Sequence, residues 1–345
     1  MHRISLAFAA CLLALAPVVT ASAQTPGPYK VLSTTKVGGA GGFDYVYADS
    51  DNRKLYIPRI AGANSHVSVF NLDTLAPLTE IPETNGHGVA VDVKSGHAFS
   101  SSKPVVMWDA KTLAPIKTID VEGGPDGILS DAFNQRIYIL SHAAPNVTVI
   151  DAKDGSILGT IDVGGAPEQA ASDGKGHLYI DIEDKAAIAV IDTKTLKMTG
   201  KFDLTGSGDG CAGLGIDAKN GILFAACREP NVMVVISAAD GKILTTLPIG
   251  KGSDGATFNP ATMEVFSSQG DGTLTIVKES SPTSFAVEET LATPVRAKTL
   301  TLDTKTGHIL LITAEFGPAP APQPGQRFSR PPMIPDTFQI LTVGK

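Results

Sequence analysis

An internal repeat of about 40 residues is the feature that most limits how this chain can fold. An alternating apolar stretch that ends near Asp or Asn recurs seven times, at Asp49, Asp92, Asp131, Asp173, Asp217, Asn259 and Asp303. Each copy continues through turns rich in Gly, Asn and Asp into three further stretches rich in Val, Ile, Leu and Thr. Four strands per unit at a spacing in the low forties are typical of β-propeller blades. The sequence therefore predicts an all-β, seven-bladed propeller with four-stranded blades.

The two ends of the chain predict how the ring of blades closes. The segment YKVLSTTKVGG (29–39) has the pattern of a fourth strand, yet it precedes the first full repeat. The last repeat begins at Val295 and has only three strands, the last being FQILTVG. We therefore expect the N-terminal strand to complete the last blade by a ladder of backbone hydrogen bonds, which also removes an exposed sheet edge.

The first 23 residues have the layout of a cleaved secretory signal peptide. Arg3 supplies a positive start, Leu6 to Val19 is apolar, and Ala21-Ser22-Ala23 has small residues at the positions that a signal peptidase reads. We expect cleavage near Ala23 and a periplasmic or secreted propeller over 24–345; a retained anchor is the alternative. No later stretch approaches the apolar length that spans a bilayer.

Charge and motifs exclude several function classes. The net charge is −7 and no block of Lys or Arg stands out, so we expect no nucleic-acid partner. There is no CxxCH haem attachment site, no His/Cys cluster with zinc spacing, no GxSxG and no P-loop or dinucleotide fingerprint. We therefore predict no cofactor, no metal and no catalytic residues, leaving open whether the chain is an enzyme, and we expect a monomer.

Two cysteines follow the predicted cleavage point, Cys211 and Cys227, and an exported chain favours a disulfide between them. In a hairpin that turns at Lys219 and Asn220, Cys211 lies opposite Arg228, one residue away from Cys227. A small bulge at the Asn-Gly turn would bring the cysteines directly opposite each other, at a separation close to disulfide reach. Two unpaired thiols, or a pair that cycles, remain as alternatives.

The repeats resemble the YVTN family of bacterial β-propeller repeats, which includes exported YncE-like proteins. The resemblance is carried by IYILSHAAPNVTVIDAKDGSILGTIDVGGAPEQ in the third unit and ILFAACREPNVMVVISAADGKILTTLPIG in the fifth. It covers nearly all of the chain after residue 23. It implies the propeller fold, and because the repeat is structural it implies no catalytic residues.

Two sets of loops at one face of such a propeller are expected to form a funnel at the end of the central channel. The loops that lead into first strands present Asp44, His87, Asp126, Glu168, Cys211, Asp254 and Arg296, and those between second and third strands present Arg59, Lys103, His142, Glu183, Arg228, Gln269 and Glu315. From these we predict a ligand-binding set consisting of Arg59, His87, Asp126, His142, Glu168, Arg228, Asp254, Arg296 and Glu315.

A mixed ring of acids and bases suits a polar organic ligand better than a cation. Carboxylates that share a narrow site repel one another and either keep a proton or recruit a cation. Calcium, however, needs six to eight oxygens, and Asp126, Glu168 and Asp254 are expected to be too far apart to chelate one ion together. The arginines would also oppose a cation.

Three functions are compatible with this funnel. The favoured one is a binding module for an unknown small molecule or protein, because no catalytic constellation is present. The first alternative is a lactonase-like hydrolase that uses the same funnel. The second is a propeller subunit of a quinoprotein dehydrogenase-type complex, which would need a cofactor-bearing partner.

A Pro-rich insertion at 316–337 in the last blade is the most unusual segment. Its seven prolines predict a stiff, extended segment that cannot join a ladder. It falls between the second and third strands, on the face of the funnel. It is either a disordered surface excursion, or a lid or partner-docking arm anchored by Phe328 and Met333, with Arg327 and Arg330 facing the funnel.

Overall fold

Seven four-stranded sheets make up the protein, and a computed structural model describes residues 27–321 and 331–345. The predicted signal peptide at 1–23 lies outside the described residues, as do Arg327, Phe328 and Arg330 of the predicted lid. In these two described ranges, no helix is long and apolar enough to cross a membrane.

Blades one to three each comprise four consecutive strands with antiparallel pairing. Blade one consists of β2 (Tyr47–Asp49), β3 (Lys54–Arg59), β4 (His66–Asn71) and β5 (Pro77–Pro82), following β1 (Lys30–Lys36). A short 3₁₀ helix, Gly62–Asn64, connects β3 to β4. Blade two consists of β6 (Gly86–Asp92), β7 (His97–Ser102), β8 (Val105–Asp109) and β9 (Pro115–Ile119). Blade three consists of β10 (Pro125–Asp131), β11 (Arg136–Ser141), β12 (Val147–Asp151) and β13 (Ile157–Ile161).

Blades four to six repeat this meander. Blade four consists of β14 (Pro167–Ser172), β15 (His177–Ile182), β16 (Ala187–Asp192) and β17 (Lys197–Asp203). Blade five consists of β18 (Asp209–Asp217), β19 (Ile222–Glu229), β20 (Val232–Ser237) and β21 (Ile243–Pro248). Blade six consists of β22 (Ser253–Asn259), β23 (Glu264–Gln269), β24 (Thr273–Ser281) and β25 (Ser284–Ala292). The predicted strand ends agree with these bounds because the alternation of apolar residues stops at each Asp or Asn turn.

Blade seven is built from both ends of the chain, as the sequence predicted. It comprises β26 (Leu300–Leu302), β27 (Ile309–Thr313), β28 (Gln339–Gly344) and, as its outer strand, β1. The β1–β28 ladder runs antiparallel from Lys30 opposite Gly344 to Lys36 opposite Gln339. The first strand of every blade contacts the first strands of its two neighbours, which closes the ring around a central channel.

A cluster of charged groups reinforces this closure next to β1. The Tyr29 hydroxyl donates a hydrogen bond to the carboxylate of Glu264, which is fully buried. Lys345 Nζ donates to the other oxygen of Glu264 at 2.8 Å. A buried carboxylate is costly unless it is paired, so Glu264 fixes both ends of the chain to blade six.

The hydrophobic core lies between adjoining blades. The second and third strands are almost wholly buried, whereas fourth strands such as β9 are mostly exposed. Between blades one and two, for example, Trp108 packs against Tyr56 with ring centroids 5.9 Å apart, and both residues are 0% exposed. Each such large apolar side chain contributes roughly 1.5–3 kcal/mol by its burial, so the core holds the first strands rigidly around the channel.

The ends of the Pro-rich insertion form a short ladder, which corrects the prediction that the segment stays out of any ladder. Phe316 pairs with Met333 in an antiparallel bridge, flanked by hydrogen bonds from Gly317 N to Pro332 O and from Ile334 N to Glu315 O. The donors, Gly317 and Ile334, have the amide hydrogens that proline lacks, and Pro332 takes part only as an acceptor, so the segment can pair at its base.

Candidate ligand-binding site

A cavity of about 980 Å³ occupies one end of the central channel, where the sequence predicted a funnel. We call this cavity the funnel. Seven of the nine predicted binding residues line it: His87, Asp126, His142, Glu168, Arg228, Asp254 and Arg296. The structure also brings in Asp44, Tyr45, Glu183 and Lys298 as polar lining residues.

A repeated β-bulge directs the side chains of the first strands into the funnel. In blades two to six, the pairing between first and second strands shifts by one residue near the start of the first strand. The residues that lie in these shifts include His87, Asp126, Glu168 and Asp254. A bulge bends its strand and changes the direction of a side chain. The same type of bulge therefore positions four funnel residues from four blades.

The same bulges bring neighbouring blades into close contact through glycine. A Cβ on Gly127 would lie 2.5 Å from the Glu168 carbonyl oxygen, and a Cβ on Gly213 would lie 2.6 Å from the Gly255 carbonyl carbon. Only glycine permits backbones to approach this closely. The first strands can therefore converge at the funnel.

One side of the funnel is a histidine–carboxylate wall, formed by Asp44, His87, Asp126, His142 and Glu168. His87 Nδ1 lies 2.8 Å from Asp44 Oδ2 and 3.2 Å from Asp126 Oδ1. His142 Nε2 lies 3.2 Å from Asp126 Oδ2 and 3.8 Å from Glu168 Oε1. Asp126 therefore stands between two imidazoles, and the four blades that supply this wall form one continuous polar network.

Burial and mutual repulsion raise the pKa values of the carboxyl groups in this wall. The pKa of Glu168 is raised to about 9, chiefly by burial, then by its hydrogen bond with Glu183 and by the charge of Asp126. Burial also raises the pKa of Asp126. The hydrogen bond to Asp44 raises the pKa of His87. The wall therefore holds more protons at neutral pH than the same groups would in water.

The opposite side is an arginine–lysine wall, formed by Glu183, Arg228, Asp254 and Lys298. Arg228 Nη1 donates to Glu183 Oε2 at 2.9 Å, and Nε donates to the Ser253 carbonyl at 2.9 Å. Its Nη2 donates to Asp254, whose other oxygen accepts from Lys298. The cations of this wall are thus paired mainly with carboxylates of their own side. The two walls meet where Glu183 contacts Glu168 and where Lys298 lies 3.9 Å from Asp44.

An aromatic rim borders the funnel beside the insertion. The Arg296 guanidinium lies over the Phe316 ring, 4.6 Å from its centroid, and the Phe43 and Phe316 centroids are 6.5 Å apart. Pro331 and Met333 complete this edge. The described part of the insertion therefore borders the funnel, while the predicted lid itself remains a prediction.

Tyr45 and Gln169 span the channel beneath the funnel. The Tyr45 hydroxyl of blade one donates to Glu168 Oε2 of blade four at 2.9 Å. Gln169 Oε1 accepts from the backbone N–H groups of Leu214 and Ala256, both at 3.1 Å, and its Nε2 donates to the Ala256 carbonyl at 3.0 Å. These contacts across the ring fix the floor of the funnel.

Arg59 and Glu315, both predicted to face the funnel, are not among its lining residues. Arg59 is 2% exposed, and its guanidinium lies over the Phe338 ring while donating to the carbonyls of Gly38 and Ala40. Burial lowers its pKa to about 10. Glu315 forms an exposed ion pair with Lys36 at 3.3 Å. Both residues connect the segment around β1 to the rest of the ring.

The sequence analysis missed Tyr45 and Lys298 as funnel residues. Each lies one or two residues beyond a position that was recognised, Asp44 and Arg296 respectively. Only one residue per loop was predicted to face the funnel, although a loop that enters a strand there can present two residues that are adjacent or alternate in the sequence. Scanning two positions further would have found both.

Two groups of side chains in the histidine–carboxylate wall have atoms close enough to hold a metal ion. They are Asp44, His87 and Asp126, and Asp126, His142 and Glu168, with the possible ligand atoms of each group within 4.8 Å of one another. Asp126 and Glu168 are thus near neighbours. Asp254, which the sequence analysis had considered with them, belongs to the opposite wall.

Comparison with known proteins identifies the fold and leaves the family unassigned. No family model matches this sequence, and no curated protein matches it. The structure is similar to that of the RRP9 WD40 repeats, with a TM-score of 0.70 and 10% identity over 93% of this chain and 99% of that one. It is also similar to the structure of U3-55K (TM-score 0.69, 11% identity, 92% and 99% covered). A chain of the mitotic checkpoint complex is a further match (TM-score 0.65, 14% identity, 90% and 96% covered).

These likenesses define the class of the protein as a seven-bladed, WD40-like β-propeller. At such low identity they establish the fold alone.

Proposed function

We propose that this chain is an exported binding module whose funnel takes a small polar organic ligand, polyhydroxylated or zwitterionic. The observation that carries the proposal is the division of one cavity into a histidine–carboxylate wall and an arginine–lysine wall. A cavity of about 980 Å³ is within the range of small-molecule sites. Opposed walls of different chemistry favour a ligand with both donor and acceptor groups.

The experiment is a thermal-shift screen of the mature chain from Gln24 against polar metabolites, followed by calorimetric titration of those that stabilise it. Arg228→Gln should weaken binding of a confirmed ligand roughly 10- to 100-fold, because a hydrogen bond to a charged group is worth about 1.5–3 kcal/mol. Lys194→Gln removes one exposed cation outside the funnel lining and is the matched control. Binding that is unchanged by Arg228→Gln would place the ligand elsewhere.

Export is part of the same proposal and is supported by the layout of residues 1–23. The protein recovered from periplasm or medium should begin at Gln24, which N-terminal sequencing measures. A product that still begins at Met1 would contradict it.

The Pro-rich insertion is proposed to act on ligand exchange, since its base carries Phe316 and Met333 at the rim of the funnel. Replacing 318–330 by a short Gly-Ser linker should accelerate ligand dissociation and leave the melting temperature nearly unchanged. Unchanged dissociation and association rates would remove the lid from the proposal.

A hydrolase acting in the same funnel is the second candidate. It is favoured by Asp126, which lies 3.2 Å from both His87 and His142 and could orient an imidazole as a general base. Hydrolysis of a panel of lactones and esters would be lost in His142→Gln and retained in His177→Gln, which changes an exposed histidine paired with Asp173. For the third possibility, a subunit of a redox complex, a neighbouring gene that encodes a cofactor-bearing subunit would be the supporting observation.

A further inference from the structure

We propose that the histidine–carboxylate wall binds one divalent metal ion of the zinc type through Asp126 Oδ2, His142 Nε2 and Glu168 Oε1. The inference rests on the proposal that the funnel is the ligand-binding site, and it adds a metal ion to that site. It goes beyond the sequence analysis, in which no metal was expected.

The spacing of the three atoms fits such an ion. Zinc bonds of about 2.0–2.2 Å in tetrahedral geometry place neighbouring ligand atoms roughly 3.3 Å apart. His142 Nε2 lies 3.2 Å from Asp126 Oδ2 and 3.8 Å from Glu168 Oε1, and each of the three residues offers a ligand atom within 4.8 Å of those of the other two. Small rotations of Glu168 would complete the set.

The second oxygen of Glu168 has a supporting contact that orients the first. The Tyr45 hydroxyl donates to Glu168 Oε2 at 2.9 Å, whereas Oε1 is the oxygen that lies 3.8 Å from His142 Nε2. Hydrogen bonds of this kind orient carboxylate ligands in metal sites. Tyr45 is therefore a positioning residue in the proposed site.

Asp126 offers a buried negative charge that its neighbours do not fully satisfy. Its Oδ1 is buried without a hydrogen-bond partner, although His87 Nδ1 lies 3.2 Å away. A neutral imidazole has at most one hydrogen on Nδ1, and at 2.8 Å Asp44 is the nearer acceptor. A cation at Oδ2 would neutralise this carboxylate.

The charge balance of the funnel favours one divalent ion. Among the described lining residues, five carboxyl groups (Asp44, Asp126, Glu168, Glu183 and Asp254) face three fixed cations (Arg228, Arg296 and Lys298). With the histidines neutral and all five carboxyl groups ionised, as they would be around a bound cation, this leaves an excess of two negative charges. Because the cations are on the opposite wall or the rim, the excess is concentrated beside Asp126 and Glu168.

The overlapping group of Asp44, His87 and Asp126 is the less suitable position. The Lys298 ammonium lies 3.9 Å from Asp44 and opposes a second cation there. His142, by contrast, is exposed to the funnel, with 41% of its side chain accessible. Three protein ligands beside an open cavity leave a coordination position for water or a ligand oxygen, as in zinc sites that act on ligands.

The test is metal uptake by the purified mature chain after treatment with a chelator. Calorimetric titration with Zn²⁺ should give one ion per chain, and Co²⁺ should give visible absorption bands of a four- or five-coordinate ion. His142→Gln and Asp126→Asn should each weaken Zn²⁺ binding by at least about 100-fold, since loss of a ligand costs more than loss of its supporting contact.

His177→Gln is the matched control, because it removes an exposed histidine that also contacts a carboxylate but lies outside the funnel lining. His142 is exposed, so its replacement should leave the melting temperature of the metal-free protein unchanged. Absence of stoichiometric Zn²⁺ uptake, or uptake unaffected by His142→Gln, overturns the proposal.

The outcome is separable from that of the proposed function. Zn²⁺ titration needs no organic ligand, so it can succeed when the metabolite screen fails. If the chelator-treated protein binds an organic ligand as tightly as before and takes up no Zn²⁺, the proposed metal site is wrong and the proposed binding function is supported.

Discussion

At the scale of single residues, Asp181 is an acid in an apolar position. It is the penultimate residue of β15, 0% exposed, and both of its carboxyl oxygens lack a hydrogen-bond partner. Burial raises the pKa of Asp181 well above its usual value. Ser101 in β7 and Ser268 in β23 occupy the same strand position, and their hydroxyls donate to carbonyls of the next blade. Asp181 lacks such an acceptor, and we infer that it is protonated in the folded protein.

This protonation predicts a pH-dependent effect of Asp181→Asn. A carboxyl group whose pKa is raised by folding stabilises the fold fully below its unfolded pKa of about 3.9, and that contribution declines as the pH rises. Asparagine does not ionise, so the variant should gain about 1–3 kcal/mol relative to the native chain between pH 4 and pH 8. Urea denaturation at both pH values measures the difference.

Asp120→Asn, at an exposed position, is the control and should show no such trend. An Asp181→Asn variant whose stability relative to the native chain is the same at pH 4 and pH 8 would mean that Asp181 is ionised when folded.

At the scale of elements, the bulge of each first strand determines the geometry of the funnel. Gly127 lies in the bulge of β10, and a Cβ there would meet the Glu168 carbonyl oxygen at 2.5 Å and Leu140 Cδ1 at 3.0 Å. Gly127→Ala should therefore destabilise the protein by about 1–3 kcal/mol and displace Glu168. Gly124→Ala, where an added Cβ has no neighbour within 4 Å, should stay within about 0.5 kcal/mol. Equal effects of both changes on the free energy of unfolding would contradict the close approach.

The disulfide predicted from the sequence is present between Cys211 and Cys227 and joins β18 to β19. The bulge that aligns the two cysteines was predicted at the Asn220–Gly221 turn, and this was wrong. The shift falls between Cys211 and Gly213, at the position used by the other first strands. The reason is that Gly213 must pack against the backbone of Gly255 in the next blade, which the hairpin alone does not reveal.

The disulfide predicts a sensitivity to reduction. For a loop of 16 residues the cross-link should contribute about 3 kcal/mol. Chemical denaturation with and without a thiol reductant should show this loss, and a Cys211→Ala, Cys227→Ala double variant should be insensitive to reductant. Thiol labelling of the denatured, non-reduced mature chain should find no reactive cysteine; two labelled cysteines per chain would disprove the bond.

The sequence predicted most of the fold because the fold is encoded locally. Strand alternation and turn residues recur in each unit. The unpaired strand pattern at 29–39 indicated that the N-terminal strand completes the last blade. The sequence predicted less of the funnel. The ion pair between Arg228 and Asp254, for example, joins side chains of different blades, and a local pattern does not reveal such a contact. Arg59 was misplaced for the same reason: Phe338, which covers it, comes from the other end of the chain.

At the scale of the whole molecule, closure by β1 makes a further prediction. A chain that begins at Val37 lacks β1 and Tyr29 and therefore exposes the edge of β28. We expect its melting temperature to fall by roughly 10 °C, since several kcal/mol of pairing and packing are lost from a large domain. Unpaired edges also promote association, which light scattering after size-exclusion chromatography would detect.

A peptide of residues 27–37 added in trans should restore part of the lost stability by strand addition. A scrambled peptide of the same composition is the control. A truncated chain that melts like the native one would show that β1 contributes nothing to closure.

Blade seven also makes closure of the ring depend on two strands that are far apart in the sequence. The strand that pairs with Lys30 ends at Gly344, so β1 has no partner in its blade until residues 339–344 have been synthesised. A product that stops before Phe338 has two unpaired edges and lacks the ring that covers Arg59. Such fragments present the surfaces that chaperones and proteases act on. Without β28 the seventh blade is incomplete, so we expect no complete funnel in such fragments.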